Sequence, residues 1–164
     1  MEREKIIADV RTKAGGCFQR GELYCSESVI HTLNEFLGWP FDRAIIRLAA
    51  GFPVGIGRSG CVCGAISGGV MALGMVYGRD PGNVMNTNMF PVAAELHDHI
   101  KKSYKSTCCR VITKDLVFDS PERKAHCVKI TGEVAAWVAD KLLNDEALKE
   151  KIHPVELQGN QVHY

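Results

Sequence analysis

Residues 57–69 read GRSGCVCGAISGG, and the way this run folds decides the architecture. Gly60, Gly64, Gly68 and Ala72 recur every four residues. On a helix they make a stripe without side chains, against which another backbone can close in. The spacing predicts a helix from Val62 to Tyr77, stopped by Gly78. A phosphate cradle fits less well, because Gly55, Gly57 and Gly60 follow no strand and no Gly-Lys-Ser/Thr ending is present. No nucleotide is therefore expected. Residues 59–78 run for 20 positions without a charge, the length of a membrane span. Six glycines and two serines in that run, and no second run like it, make it a buried central helix instead.

The rest of the chain repeats with helical period. Ile6, Ile7, Val10, Ala14 and Phe18 form one apolar face, weakened by Gly15 and Gly16. Val29, Ile30, Leu33, Phe36 and Leu37 mark a second helix, with Gly38 as its stop and Pro40 beyond. A third is expected over Asp42 to Ala50, and another carries Val92, Ala93, Leu96, Ile100 and Tyr104. The last opens with Ser120 as N-cap and Pro121 in the first turn, and carries Val128, Ile130, Val134, Trp137, Val138 and Leu142. No run alternates with period two. The expectation is an all-α fold: a single compact domain of about six helices over residues 1–144, with the glycine-rich helix at its centre. Residues 145–164 are expected to form a tail or an arm.

Composition excludes several classes. The chain has 164 residues, 24% charged, and a net charge of +1, so no global field argues for nucleic acid. The cluster Lys101, Lys102 and Lys105 reads as a solvated helix face. MEREKIIADVRTK has no apolar core of a secretory signal, which points to the cytoplasm. Seven cysteines in a reducing compartment are expected to be free, catalytic or metal-bound rather than a disulfide framework. The histidines add little: His97 and His99 are two apart and share no helix face. No Ser-His-Asp order suggests hydrolysis, and the methionines read as core filling.

Cysteine placement is more informative. Cys25 and Cys63 fall near helix starts, and Cys127 falls in the second turn of the last helix. A helix N-terminus stabilises a thiolate, the species that ligates metals and exchanges disulfides. Cys109 has Arg110 beside it. The competing reading is that each cysteine packs as a small hydrophobe.

Cys25, the CGAISG run from Cys63 to Gly68, then Cys109 and Cys127 resemble the C-GCAxxG-C-C family of redox-active proteins. The resemblance covers roughly Gly21 to Leu143. It implies a small helical protein with four characteristic cysteines and a redox role, related to a domain of split-Soret cytochromes. By position the four are Cys25, Cys63, Cys109 and Cys127, with Cys108 competing for the third place and Cys61 a further substitute. Cys17 falls outside the motif. There is no Cys-x-x-Cys-His, so no covalent haem is expected.

Three chemistries remain open. Four thiolates from separate segments suit an iron–sulfur cluster that carries electrons, which is the leading expectation. A metal-free thiol–disulfide protein would use Cys63 and Cys25 as redox-active thiols, Cys63 attacking first. A zinc-stabilised interaction module is the third. The glycine stripe and the C-terminal arm suggest a homodimer, and a redox partner protein of unknown identity is implied.

Overall fold

A computed structural model describes residues 2–148. Six α-helices follow one another: α1 (Glu2–Gln19), α2 (Cys25–Phe36), α3 (Gly64–Tyr77), α4 (Met89–Tyr104), α5 (Cys109–Ile112) and α6 (Pro121–Asn144). No strand occurs among the described residues. The fold is all-α, as the periodicities imply.

Helices α1 and α6 run antiparallel, and glycine sets their separation. A Cβ on Gly15 would meet Val128, and one on Gly132 would stand 2.7 Å from the Arg11 carbonyl oxygen. Further along the pair, the Arg3 guanidinium donates to Asp140 at 2.5 Å. Gly15 costs α1 some intrinsic helix stability and in return admits α6.

Helices α2 and α3 run the same way. Gly64 faces Cys25, and Gly68 lies against the Ser26 backbone and Val29. Gly69 turns to the other side, against Leu96 of α4 and Val134 of α6. Two faces of α3 are thus glycine-lined, which is how a helix of small residues becomes the centre of the bundle. Val10, Ala14, Val29, Leu33, Phe36, Leu73, Leu96, Ile130, Val134 and Leu142 fill the core around it.

Three expectations need correction. Residues Arg43–Ala49 form a 3-10 helix rather than an α-helix, since Ala49 alone of that segment is buried and no apolar face holds it down. The central helix starts at Gly64, with Cys63 as its N-cap, not at Val62. Gly60 lies in the preceding loop at φ +74°, so it is not part of the helical stripe. Of the expected C-terminal arm, residues 149–164 lie outside the described residues. Residues 145–148 pack on the domain: Leu148 joins the core, and Tyr77 donates its hydroxyl proton to Asp145 at 2.6 Å. No described helix is long and apolar enough to cross a membrane.

Candidate functional site

The parallel course of α2 and α3, opposite to α1, places the N-termini of α2, α3 and α6 at one end of the bundle. Cys25 is the first residue of α2, Cys63 the N-cap of α3, and Cys109 the first residue of α5. Cys127 sits in the second turn of α6, which Ser120 caps by accepting from the Arg123 N–H at 3.1 Å. At the start of α2 the Glu27 carboxylate accepts from the Tyr24 N–H at 2.8 Å. All four cysteines line one cavity of about 750 Å³.

Two backbone hydrogen bonds tie the glycine loop to the start of α5 and the segment before it. The Cys63 N–H donates to Thr107 O at 2.8 Å and the Arg110 N–H to Gly60 O at 3.1 Å. This pairing sets Cys63 beside Cys109. Val62, at φ +49°, reverses the chain between Cys61 and Cys63. Cys63 is buried as a result, while Cys61 is exposed.

The loop ahead of Cys63 has an unusual backbone. Val54, Gly55, Ile56, Gly57 and Arg58 all have φ between +53° and +69°. Bonds from Ile56 N–H to Phe52 O at 3.0 Å and from Gly57 N–H to Gly51 O at 2.9 Å hold this left-handed turn. For residues other than glycine such a conformation costs about 1–2 kcal/mol each. The turn directs the Val54 N–H at the Cys25 sulfur, and the Ser26 N–H joins it. The Ala65 and Ile66 N–H groups face the Cys63 sulfur in the same way.

Burial nonetheless dominates the electrostatics. It pushes the Cys25 thiol up from 9.0 to about 11 against its two N–H neighbours. Cys63 is raised further, first by burial and then by the neighbouring Cys25. Cys127 is also raised by burial, opposed by a hydrogen bond from Arg123. At Cys25 and Cys63 the N–H groups favour the thiolate as expected, but the loss of water outweighs them.

The other cysteines stand apart from this group. Cys108 is half-buried and off the cavity wall, whereas Cys109 is on it. Cys17 is wholly buried in α1, where Arg20 donates to its sulfur at 3.7 Å. Burial raises its thiol to about 11. Among the described residues no three His, Cys, Asp or Glu side chains stand together as the ligands of one metal ion.

Several wall residues were not anticipated from sequence. Arg123, Cys127 and Thr131 lie four apart on α6 and share one face toward the cavity, a stripe that spacing alone could have revealed. Arg58 and Phe118 come from loops, and nothing in the sequence foretells their meeting. Arg58 lies 5.5 Å and Arg123 4.6 Å from the centre of the Phe118 ring.

Neither a curated protein nor a solved structure matches the chain. A family model described as "Putative redox-active protein (C_GCAxxG_C_C)" matches residues 23–141, a span that holds all four cavity cysteines and the left-handed loop. That match takes in most of the chain, which thus belongs to the C_GCAxxG_C_C family.

Proposed function

We propose that Cys25, Cys63, Cys109 and Cys127 hold an iron–sulfur cluster and that the protein carries electrons. The observation that supports this best is the meeting of four thiols, from four separate segments, on the wall of one cavity. The donor set fits the group: iron–sulfur clusters are held by four cysteine thiolates. Gly64 lets the Cys25 sulfur pack directly against the start of α3, on the cavity wall. A bound cluster would supply one-electron redox capacity.

The chain's own groups serve such a centre in three ways. The N-termini of α2, α3 and α6 present their positive ends to it, which favours the negative charge of thiolate-bound iron. The N–H groups of Val54, Ser26, Ala65 and Ile66 face two of the sulfurs, and such contacts tune redox potential. Arg123 donates to the Cys127 sulfur. Buried thiols that resist ionisation are poor resting nucleophiles, which weighs against Cys63 as the attacking thiolate of a metal-free exchange protein. A structural zinc ion, with sulfurs about 2.3 Å from one point, is the alternative that metal analysis separates.

Protein purified without oxygen is expected to be brown and to contain iron and acid-labile sulfide. Serine at any of the four positions should lower both, while serine at Cys17, Cys61 or Cys108 leaves them unchanged. Colourless, metal-free protein whose thiols all titrate overturns the reading. A reversible two-electron titration abolished by Cys63→Ser would assign thiol–disulfide chemistry, and stoichiometric zinc a structural module. The proposal includes a cytoplasmic location, a redox partner protein and a homodimer. Light scattering showing a monomer would remove the last.

A further inference from the structure

The cavity is larger than four thiols require. At about 750 Å³ it falls in the size range of small-molecule sites, roughly 300–1,000 Å³. Along α6 its wall runs from Arg123 past Cys127 to Thr131, a depth of about 12 Å at the helical rise. The two ends of that wall differ in chemistry.

At the outer end Arg58 and Arg123 approach the same Phe118 ring. Neither guanidinium forms an ion pair with a carboxylate among the described residues, although Arg3 and Arg20 both do. Two like charges held on one aromatic ring repel each other until an anion joins them. Lys124 adds a third cation to the same wall. Of the acids there, Glu22 is taken by Arg20 at 2.6 Å and Glu27 accepts from the Tyr24 N–H. Glu27 and Asp119 make no ion pair among the described residues, and two carboxylates do not balance three cations.

At the inner end the Thr131 hydroxyl is wholly buried and has no hydrogen-bond partner among the described residues. A buried hydroxyl without a partner destabilises the fold unless something supplies one. Thr113, on the same wall, differs in that its hydroxyl donates to the Cys109 carbonyl oxygen at 2.8 Å.

We propose that the cavity binds a small organic anion, with its carboxylate or phosphate held by Arg58 and Arg123 and its body reaching inward past Cys127 toward Thr131. Its role as a reactant rests on the redox reading above, since it would lie beside one of the four cysteines. The binding itself does not, and it is measured separately.

Calorimetric titration of the full chain, purified without oxygen, with succinate and with inorganic phosphate tests the site. Iron is assayed on the same samples, so a missing cluster is told apart from a missing site. Saturable binding of at least one probe is expected. Arg58→Gln and Arg123→Gln should each weaken it about tenfold, the scale of a lost charged hydrogen bond. Arg79→Gln, off the cavity wall and bonded to the Asn83 carbonyl oxygen, should leave it unchanged. Thr131→Val should weaken succinate binding while leaving the protein as stable or more so, a pair of readouts that separates binding from folding. Absence of saturable binding by both probes, or equal affinity in the double arginine variant, overturns the proposal. So does binding of a polyglutamate peptide alone, which would make the cations a dock for an acidic protein.

Discussion

A Cβ placed on Gly64 would stand 2.6 Å from the sulfur of Cys25, nearer than real atoms of these kinds approach. It would also meet the Phe52 carbonyl oxygen at 3.0 Å. Gly64→Ala should therefore push the Cys25 thiol off the cavity wall and cost about 1–3 kcal/mol by overpacking. Iron per chain, measured beside a denaturation curve, should fall severalfold. Full iron content in a stable variant would show that this space is not needed.

Gly68 and Gly74 lie on the same helix but predict opposite signs. A Cβ on Gly68 meets the Ser26 carbonyl oxygen at 2.6 Å and its Cα at 3.0 Å, both backbone atoms that cannot rotate away. Gly68→Ala should cost about 3 kcal/mol by forcing α2 from α3. Around Gly74 nothing lies within 4 Å. Gly74→Ala should stabilise the protein by about 0.5–1 kcal/mol through helix propensity. Thermal melts of the two variants, moving in opposite directions, check both.

Alkali should unfold the metal-free protein. Cys17 and Cys25 titrate near 11 when folded, against 9.0 for an unburied thiol. A raised folded value means that the unfolded chain loses these protons first. The stability they contribute is complete below pH 9 and is lost as pH rises through 11, about 3 kcal/mol for each. Urea midpoints across that window should fall, and Cys17→Ala should flatten the slope. At neutral pH exposed Cys61 should take up iodoacetamide before either Cys25 or Cys63, as read by mass spectrometry.

Acid should act through His31. Its ring is buried against Trp39, neither nitrogen has a hydrogen-bond partner among the described residues, and Lys13 bonds the nearby Glu35 carboxylate at 2.7 Å. Burial lowers the imidazole from 6.5 to about 4. The unfolded chain therefore binds the proton first, so stability is full above pH 6.5 and falls as pH drops through 4. The loss is about 3 kcal/mol. His31→Phe keeps a ring against Trp39 and should remove this acid limb from a plot of urea midpoint against pH. An unchanged limb would place the titration elsewhere.

Periodicity made the long helices legible because each buries one face, as Val29, Ile30, Leu33 and Phe36 do in α2. It misled over Asp42 to Ala50, where Leu48 is two-thirds exposed and the apolar residues make no continuous face. Gly15 looked like a weakness in α1 until Val128 of α6 was seen lying against it. The resemblance to the family's cysteine pattern named four candidates for the site. Which of Cys108 and Cys109 faces the cavity depends on the phase of a four-residue helix, and no pattern that short carries a phase. Least legible was the loop: nothing in the letters Val54 and Ile56 announces a positive φ.

That loop has a stereochemical consequence. Over residues 54–58 the backbone turns with the opposite hand to the helices around it. Mirror-image residues adopt such angles without strain, so the segment is one that D-amino acids would suit better than the natural ones. A chemically synthesised chain with D-alanine at 56 should be more stable than its L-alanine twin, and the same exchange within α3 should be ruinous. Ribosomal synthesis offers only glycine for this purpose, and the chain uses it at Gly55 and Gly57 while spending L-residues at Val54, Ile56 and Arg58. Handedness, rather than hydrophobicity or charge, is therefore what this stretch has been built to resist.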